Sequence, residues 1–332
     1  MAKDVKIVIN MVKAVGNIGF GCPLILEENA AEAKEYTEVS SLEAVITAGY
    51  AATTDVYKVA QLMFMQEHYP DKIAICSTES AAEAWLTAEA NVSKGWRQLV
   101  VVNAGEAATN VKGIMTAIEA QKTYPKFYFA NLAMDDTTIK DTDVKGIERT
   151  LLCYYTATED VPAPVAAIAG EVAGLQVGSY TLNNLVVKGI APLELSEVEI
   201  KDIHDKGGVT MVLSAGDCVV SEGKTAGGLY VDNTDGNDYI KQQLEYKTQK
   251  VFNNNLKVPY TNAGIALLES AAIGVMTDAQ NKGIIESFTV NFLLRENVAE
   301  GDRAARRYIG GNIVYSMAGA IHEIEINCEC SL

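Results

Sequence analysis

Histidine is scarce in this sequence: the chain of 332 residues contains three, at His68, His204 and His322. None of them has a second histidine, a cysteine or a pair of carboxylates at the spacing of a metal site. The GxSxG and HExxH patterns of common hydrolases are missing too. Because the usual nucleophile and metal constellations are lacking, the sequence predicts a protein that is not an enzyme and that binds no cofactor and no metal.

Long apolar runs are also lacking, although 48% of the residues are hydrophobic. No stretch approaches the ~18 residues of a membrane-spanning helix. The first residues do not show the charged and then apolar order of a signal peptide. We therefore expect no membrane insertion, and the apolar content is instead that of a folded protein with a sizeable core.

Positive charge is the third deficit, since 27 lysines and arginines stand against 43 acidic residues and give a net charge of -16. Nucleic-acid binding requires a basic face, so the composition argues against a nucleic-acid partner. Only six residues are arginines, and four of the six lie between Arg295 and Arg307. Such a local concentration is conspicuous in an acidic chain.

In the stretch EGDRAARRY, Arg303, Arg306 and Arg307 stand at positions i, i+3 and i+4. On a helix these three side chains share one face. One interpretation is a solvated face whose arginines pair with local acids such as Glu300 and Asp302. The other is a docking helix for an anionic protein surface, because the planar guanidinium group binds carboxylates in a bidentate manner.

Both ends of the chain alternate in the manner of a β-strand. Val5, Ile7 and Ile9 fall on one face near the N-terminus, and Ile324 and Ile326 do so near the C-terminus. A terminal strand with open N–H and C=O groups needs a partner, which the alternation itself does not identify. Three glycines follow the first strand and predict a hinge: Gly16, Gly19 and Gly21.

Between the termini, strands and helices alternate from Gln98 to about residue 178. Short apolar runs such as QLVVVNA, KFYFANL and TLLCYYTA predict strands, and amphipathic segments predict the helices between them. This order is typical of βαβ units and predicts an α/β fold with a small, largely parallel sheet. After Gly178 come strand-like segments with turns, among them YTLNNLVVKGI and GGLYVDN, then two longer helices and another strand, which predict a mixed α+β region.

Four segments, taken in order, resemble contractile tail sheath proteins. The first is YTEVSSLEAV with DVYKVAQLMFMQEHYPDKIAI, and the second is YTLNNLVVKGIAPLELSEVEIKDIHDKGGVTMVLSAGD. The third, DYIKQQLEYKTQKVFNNNLKVPYTNAGIALLES, is similar to the paired helices that a K-x-PYT-x-x-G turn joins in that family. The fourth is DRAARRYIGGNIVYSMAGAIHEIEI. Residues 95–178 match only loosely, and the chain is short for the family, which implies that the decorating domains of larger sheaths are absent.

The resemblance implies a sheath-type fold in four parts. These are an N-terminal arm of residues 1–20, an α/β region of residues 21–178, an α+β core of residues 179–311 and a C-terminal arm of residues 312–332. It implies a subunit that polymerises with itself as stacked hexameric rings around a tail tube, and that contracts to drive the tube through a bacterial envelope. The implied partners are the tail tube, baseplate and tail-terminator proteins. The implied particle is a bacteriophage tail or a bacteriocin-like device, assembled in the cytoplasm of the bacterial host.

In that family the terminal arms cross to neighbouring subunits and add strands to their sheets by β-augmentation. The resemblance therefore implies that both terminal strands pair in other copies and that the arginine helix faces the tube. Two alternatives stay open on the residues alone. One is an α/β enzyme for a small ligand, which the central βαβ order favours. The other is a different self-assembling tail or baseplate component.

Overall fold

A computed structural model describes residues 21–102 and 107–328 of the chain. The chain divides into two compact units, one ending at Glu245 and the other beginning at Tyr246. The sequence-based boundary at 178/179 falls inside the first unit, and the four-part division stays a prediction. Several residues of the predicted N-terminal arm and hinge lie outside the described residues, namely Val5, Ile7, Ile9, Gly16 and Gly19.

The first unit is built around a seven-stranded sheet. Its strands are β1 (Cys22–Glu27), β2 (Lys34–Val39), β3 (Ile73–Ser77), β4 (Trp96–Val102), β5 (Phe127–Leu132), β6 (Thr150–Tyr154) and β7 (Gly208–Val209). They lie in the order β2-β3-β1-β4-β5-β6-β7, and every pair is parallel except β2 with β3. The predicted α/β sheet is confirmed as largely parallel, and it is larger than the sequence suggested. A separate antiparallel hairpin joins β8 (Met211–Ser214) to β9 (Asp217–Val220).

Helices cover both faces of this sheet. They are α1 (Leu42–Thr47), α2 (Asp55–Phe64), α3 (Ala84–Ala90), α4 (Ala107–Ala120), α5 (Asp141–Val144), α6 (Val165–Gly174) and α7 (Glu197–Asp205). The core on one face includes α2 and α6, and the core on the other face includes α3 and α4. Strands buried on both faces are continuous apolar runs, which is why β4, β5 and β6 were recognisable in the sequence.

Strand β1 lies at the centre of the sheet, yet its sequence CPLILE did not predict a strand. Pro23 is the reason, because a proline cannot donate to a ladder and argues against a central strand. In the structure the register of β1 against β4 shifts between Cys22 and Leu24. Pro23 therefore lies at a bulge, where a central strand tolerates proline. From Leu24 onward the strand pairs regularly with β3 and β4.

Glycines allow α2 and α6 to pack closely. A Cβ on Gly170 would lie 2.6 Å from the Cα of Met63, and one on Gly174 would lie 1.7 Å from the carbonyl oxygen of His68. Buried Glu171 accepts a hydrogen bond from the His68 amide at 3.0 Å and contacts His68 Nδ1 at 2.5 Å. These contacts compensate the burial of the carboxylate, so His68 has a structural role here.

A long helix, α8 (Val231–Asn254), begins in the first unit and continues past the division at Glu245. The segment GGLYVDN does not form the predicted strand and instead leads into this helix. The segment YTLNNLVVKGI forms only an isolated bridge, between Val186 and Val219. None of the described helices is both long enough and apolar enough to cross a membrane.

The second unit combines α9 (Asn262–Asn281) with a two-stranded antiparallel sheet of β10 (Ile285–Phe292) and β11 (Gly311–Met317). The short helix α10 (Glu300–Ala304) lies between the two strands in the chain. The predicted helix after PYT and the strand of GIIESFTVNFLL are thereby confirmed. One face of α9 is buried: Ile265, Leu268, Ala272, Val275 and Met276.

Candidate functional site

The sheet of the second unit is too narrow to bury its own apolar face. Phe288 pairs with Tyr315, and Val290 pairs with Ile313, so these four side chains lie on one side of the sheet. All four remain only partly buried. Two strands alone are at best marginally stable in water and need further strands or a packed helix. Helix α9 packs on β10, yet these four side chains stay only partly buried. The partly buried face therefore favours the addition of strands.

The edges of this sheet are open among the described residues, because β10 and β11 pair only with each other there. β11 carries no charged side chain, and β10 carries only Glu286. By contrast β2, the outer strand of the larger sheet, carries Lys34, Glu35 and Glu38. Charged side chains are a common way in which edge strands avoid unwanted pairing. The edge of β11 lacks that protection and is suited to receive another strand.

The segment that follows β11 is exposed. Residues 318–328 form no strand with any described part of the chain. Ile321, Ile324 and Ile326 are 90%, 80% and 71% exposed. Full burial of an isoleucine side chain contributes about 1.5–3 kcal/mol, a gain that is not made here. The alternating C-terminal residues thus remain available to a surface outside the described chain.

A glycine with a left-handed backbone marks the root of each terminal segment, Gly21 with φ of 90° and Gly319 with φ of 63°. At Gly21 space also requires glycine, because a Cβ would lie 2.7 Å from the Cβ of Arg97. At Gly319 a Cβ would meet no atom within 4 Å, so only the backbone conformation favours glycine. The sequence predicted a hinge only at the glycines before β1 and did not identify Gly319. The hinge role of Gly16, Gly19 and Gly21 stays a prediction.

The predicted arginine helix ends too early for its arginines to share a face. α10 stops at Ala304, and Arg306 has a left-handed backbone with φ of 56°. The Arg307 amide donates to the Asp302 carbonyl at 2.9 Å, and the Arg306 amide donates to the Arg303 carbonyl at 3.1 Å. This pair of bonds is a common helix ending that usually has glycine at the left-handed position. The prediction of a shared helical face was wrong, and the docking role of these arginines stays a prediction.

The three arginines differ in what they contact. Arg303 Nη1 donates to the carbonyl of Arg295 at 3.1 Å, and Arg307 Nη2 pairs with Asp302 Oδ1 at 2.6 Å. Arg306 is exposed, and its guanidinium group makes no hydrogen bond or ion pair with any described residue. Local pairing, one of the two interpretations of the sequence, therefore holds for Arg307. Arg306 is left as the arginine most available to a partner.

Aromatic rings fix this segment between the start of α9 and the end of β10. Tyr308 stacks on Phe292 with ring centroids 5.8 Å apart and meets Tyr260 edge-on at 6.2 Å. The Tyr260 hydroxyl donates to the carbonyl of Arg307 at 3.1 Å, and the Tyr308 hydroxyl donates to that of Leu293 at 2.9 Å. Burial raises the pKa of Tyr308, so its phenol remains a donor at neutral pH.

The PYT-x-x-G turn positions this aromatic group. Thr261 caps α9 by accepting a hydrogen bond from the Gly264 amide at 3.3 Å. A Cβ on Gly264 would lie 1.9 Å from the carbonyl oxygen of Pro259, so glycine is required for the close turn. Asn262 Oδ1 then accepts from the Arg295 amide at 2.7 Å. A motif that carried the resemblance in the sequence therefore holds the arginine segment in place.

Polar groups at the carboxyl ends of β1 and β3 bind one another. In α/β enzymes this end of the sheet is where ligands bind. Glu27 Oε2 accepts from the Ser77 hydroxyl at 2.7 Å, and the Ser77 and Tyr50 hydroxyl oxygens lie 2.6 Å apart. Burial raises the pKa of Tyr50 to about 12. No cluster of three metal-ligating side chains occurs within residues 21–102 and 107–328. These contacts single out no catalytic group.

No protein-family model matches this chain, and no curated protein matches it in sequence. Solved structures do match. The PVC sheath complex of an extracellular contractile injection system, in its contracted state, gives a TM-score of 0.71 at 11% identity and covers 99% of this chain and 98% of that chain. A chain of the contracted baseplate of the anti-feeding prophage gives 0.65 at 11% identity, with the same shares covered. The sheath tail protein of Listeria innocua gives 0.57 at 11% identity and covers 84% of this chain and 89% of that chain.

Identities this low show a shared fold and nothing finer. The likeness nevertheless spans both compact units, because nearly the whole chain is covered in the PVC and anti-feeding prophage structures. The chain therefore has the fold of the tail sheath proteins of contractile injection systems.

Proposed function

We propose that this protein is the structural subunit of a contractile tail sheath. It polymerises as stacked hexameric rings around a tail tube and contracts to drive the tube through a bacterial envelope. The observation that carries the proposal is the match to a contractile injection sheath over 99% of the chain. The protein acts by assembly and has no catalytic role. Besides itself and the tube, its partners are the baseplate and tail-terminator proteins of a phage tail or bacteriocin-like particle, which assembles in the bacterial cytoplasm.

Polymerisation runs through the terminal arms. The C-terminal segment with Ile324 and Ile326 adds a strand to the β10–β11 sheet of a neighbouring copy, and so does the N-terminal segment. The main-chain ladder supplies the affinity in such an addition, and alternating side chains set the register. The uncharged edge of β11 and the exposed isoleucines support this mechanism. In the N-terminal arm, the pairing strand contains Val5, Ile7 and Ile9, and the hinge contains Gly16, Gly19 and Gly21.

Arg306 leads the docking of the sheath on its tube, with Arg303 and Arg307 beside it. The guanidinium group of Arg306, which is exposed and has no hydrogen-bond or ion-pair partner among the described residues, supports this role. Exposed ion pairs contribute only ~0–1 kcal/mol each and weaken in salt. Such contacts suit an interface that contraction must release, and their repetition over many subunits holds the extended state.

Negative-stain microscopy of the purified protein tests the polymerisation. We expect hollow cylinders from the intact chain and small folded particles from a chain that lacks residues 320–332. Thermal unfolding of both proteins checks that the truncated chain keeps its fold. Cylinders from the truncated chain would contradict the arm mechanism. An intact chain that never polymerises, alone or with its tube, would contradict the sheath proposal itself.

Co-sedimentation with tubes tests the docking. Arg306→Glu should weaken binding to the tube, most strongly at low salt, and leave self-assembly through the arms unchanged. Lys201→Glu is the matched control, since Lys201 is an exposed cation of α7 in the first unit. Equal tube binding by wild type and Arg306→Glu, with the same salt dependence, would rule out the docking role.

A further inference from the structure

A buried ion network holds the first turns of α8. Asp235 and Asp238 lie one turn apart on this helix, and they face Arg97 of β4 and Arg149, which precedes β6. Arg97 Nη2 donates to Asp235 Oδ1 at 2.5 Å and to Asp238 Oδ2 at 2.6 Å. Arg149 binds the two oxygens of Asp238 at 2.6 and 2.9 Å. Arg97, Asp235 and Asp238 are all buried.

The network balances two guanidinium groups against two carboxylates. Arg97 Nη1 also donates to the carbonyl of Pro125 at 2.7 Å, and the Tyr180 hydroxyl donates to Asp235. Burial alone would raise the pKa of Asp238, but the Arg97 and Arg149 guanidinium groups outweigh burial and hold the pKa below its ordinary value. Removing one member would leave a buried charge unpaired, which is strongly destabilising. The positions of the four charged groups therefore depend on one another, because a change at one leaves another buried charge unpaired.

The burial of α8 is confined to its first three turns. Six residues there are buried, namely Val231, Thr234, Asp235, Gly236, Asp238 and Ile240. From residue 241 to the end of the helix no residue is buried. The ion network thus lies within the one stretch of α8 that has fully buried residues in the described chain. Beyond Glu245 the same helix belongs to the second unit.

Arg97 also lies against Gly21, the first described residue, which follows the predicted N-terminal arm. A Cβ on Gly21 would be 2.7 Å from the Cβ of Arg97 and 3.0 Å from the carbonyl oxygen of Gly95. The Cys22 amide donates to that same carbonyl at 3.2 Å. No space separates the main chain at Gly21 from the base of the Arg97 side chain. A shift of Gly21 toward the sheet must therefore displace Arg97.

We propose that Arg97 couples the N-terminal arm to α8, so that a displacement of Gly21 loosens the ion network at the start of the helix. The energy of a buried ion pair depends steeply on its geometry, because the surrounding dielectric constant is low. Coupling between two sites is reciprocal, so loosening the network also loosens the chain at Gly21. This property belongs to the single chain and goes beyond the proposed sheath function. In a polymer it would let α8 respond when a neighbour holds or pulls the arm.

Hydrogen exchange of the full-length chain tests the coupling. Gly21→Ala forces a methyl group against Arg97, and we expect the amides of residues 231–240 to exchange about tenfold faster, a size typical of coupled sites. Gly319→Ala is the first control, because Gly319 also has a positive φ, of 63°, and no atom lies within 4 Å of its Cβ position. Gly95→Ala is the second, because it lies beside the contact and its Cβ would meet nothing. Unchanged exchange in Gly21→Ala, or equal acceleration in either control, would overturn the proposal.

A second experiment tests the same coupling in the opposite direction, and it remains informative if the Gly21→Ala protein does not fold. Asp238→Asn removes one charge from the network and keeps the shape of the side chain. Because the loss of a buried charge lowers stability throughout the unit, the amides of α2 serve as the internal reference. Coupling through Arg97 then predicts that exchange of the Cys22 amide, which donates to the carbonyl of Gly95, accelerates more than exchange of the α2 amides. Asp205→Asn, an exposed acid at the end of α7, serves as the control. Exchange at Cys22 that is unchanged in Asp238→Asn, or that accelerates no more than exchange of the α2 amides, would overturn the proposal.

Discussion

Arg307 is tied to Asp302 twice, through the main chain at 2.9 Å and through the guanidinium group and the carboxylate at 2.6 Å. The turn that these bonds close places Arg306 in the left-handed region, which costs a residue with a side chain about 1–2 kcal/mol. The side chain of Arg306 recovers none of this cost through a hydrogen bond or an ion pair with a described residue. We interpret the strain as the consequence of a side chain selected for a partner.

Replacing Arg306 by glycine should therefore raise the free energy of unfolding by about 1 kcal/mol, because glycine adopts the left-handed conformation without strain. The same variant should bind the tube more weakly. Chemical denaturation and co-sedimentation measure the two effects. Arg303→Gly is the control, since it lies inside α10 and should lower stability by about 0.5–1 kcal/mol. An Arg306→Gly protein that is no more stable than wild type would contradict the assigned strain.

The exposed isoleucines of the C-terminal segment should matter for assembly and not for folding. Changing Ile324 and Ile326 to Asp should abolish cylinders and leave the free energy of unfolding within about 0.5 kcal/mol of wild type, because both residues lie on the surface. Microscopy and denaturation report the two properties. Val198→Asp is the control, since Val198 is 69% exposed on α7 in the first unit. A double variant that unfolds, or that still assembles, would show that the segment has another role.

Stability should rise with pH between about 7 and 8 because of Lys126. This lysine is buried and donates to the carbonyls of Lys94, at 3.2 Å, and Trp96. Burial, and then the charge of Arg97, lower the pKa of Lys126 to about 7 from an ordinary 10.5. Above pH 7 the unfolded chain binds more protons than the folded chain. The free energy of unfolding therefore rises, by up to about 1.4 kcal/mol per pH unit.

Lys126→Met should remove this slope, and Lys201→Met, at an exposed site, should keep it. The window ends near pH 8, because burial raises the pKa of several thiols, to about 11 for Cys22 and to about 12 for Cys76 and Cys153. Ionisation of these thiols in the unfolded chain, where their pKa is about 8.5, then acts in the opposite direction. Denaturation midpoints measured at several pH values decide the question. An identical slope in wild type and Lys126→Met would mean that Lys126 keeps its proton in the folded protein.

The close packing of α6 against the segment that follows α2 predicts a large difference between two glycine substitutions. Gly174→Ala should destabilise the protein by about 3 kcal/mol or more, because the new Cβ would overlap the carbonyl oxygen of His68. Gly113→Ala, in α4, meets open space and should stabilise it by about 0.5–1 kcal/mol. Thermal unfolding distinguishes the two. Equal effects would show that α6 moves away from that segment at little cost.

Much of the fold follows from local sequence patterns. The apolar runs of β4, β5 and β6 and the helical periodicity of α9 are local signals, and the structure confirms them. The start of α8 was misread because it depends on distant residues, since Asp235 meets Arg97 from 138 positions away. Strand β1 was not recognised in the sequence. Pro23 is unusual in a central strand, and the register shift that accommodates it is visible only in the pairing of β1 with β4.

The candidate site was predictable only in part. The alternation around Ile324 predicted a strand in need of a partner, but the open edge of β11 is a property of the sheet and not of its sequence. The arginines of the predicted docking helix stood at helical spacing. The left-handed turn at Arg306 ended that helix, although alanine and arginine are good helix formers. The hydrogen bond from the Arg307 amide to the Asp302 carbonyl ends the helix there, despite the helical preference of the local residues.

Cryo-electron microscopy of the assembled polymer tests the exchange of arms most directly. At a resolution that shows the main chain, we expect residues 320–328 of each subunit to form a strand paired with the β10–β11 sheet of a neighbouring subunit. A C-terminal segment that folds back on its own subunit, or that makes no ladder with any neighbour in an otherwise ordered cylinder, would contradict the mechanism.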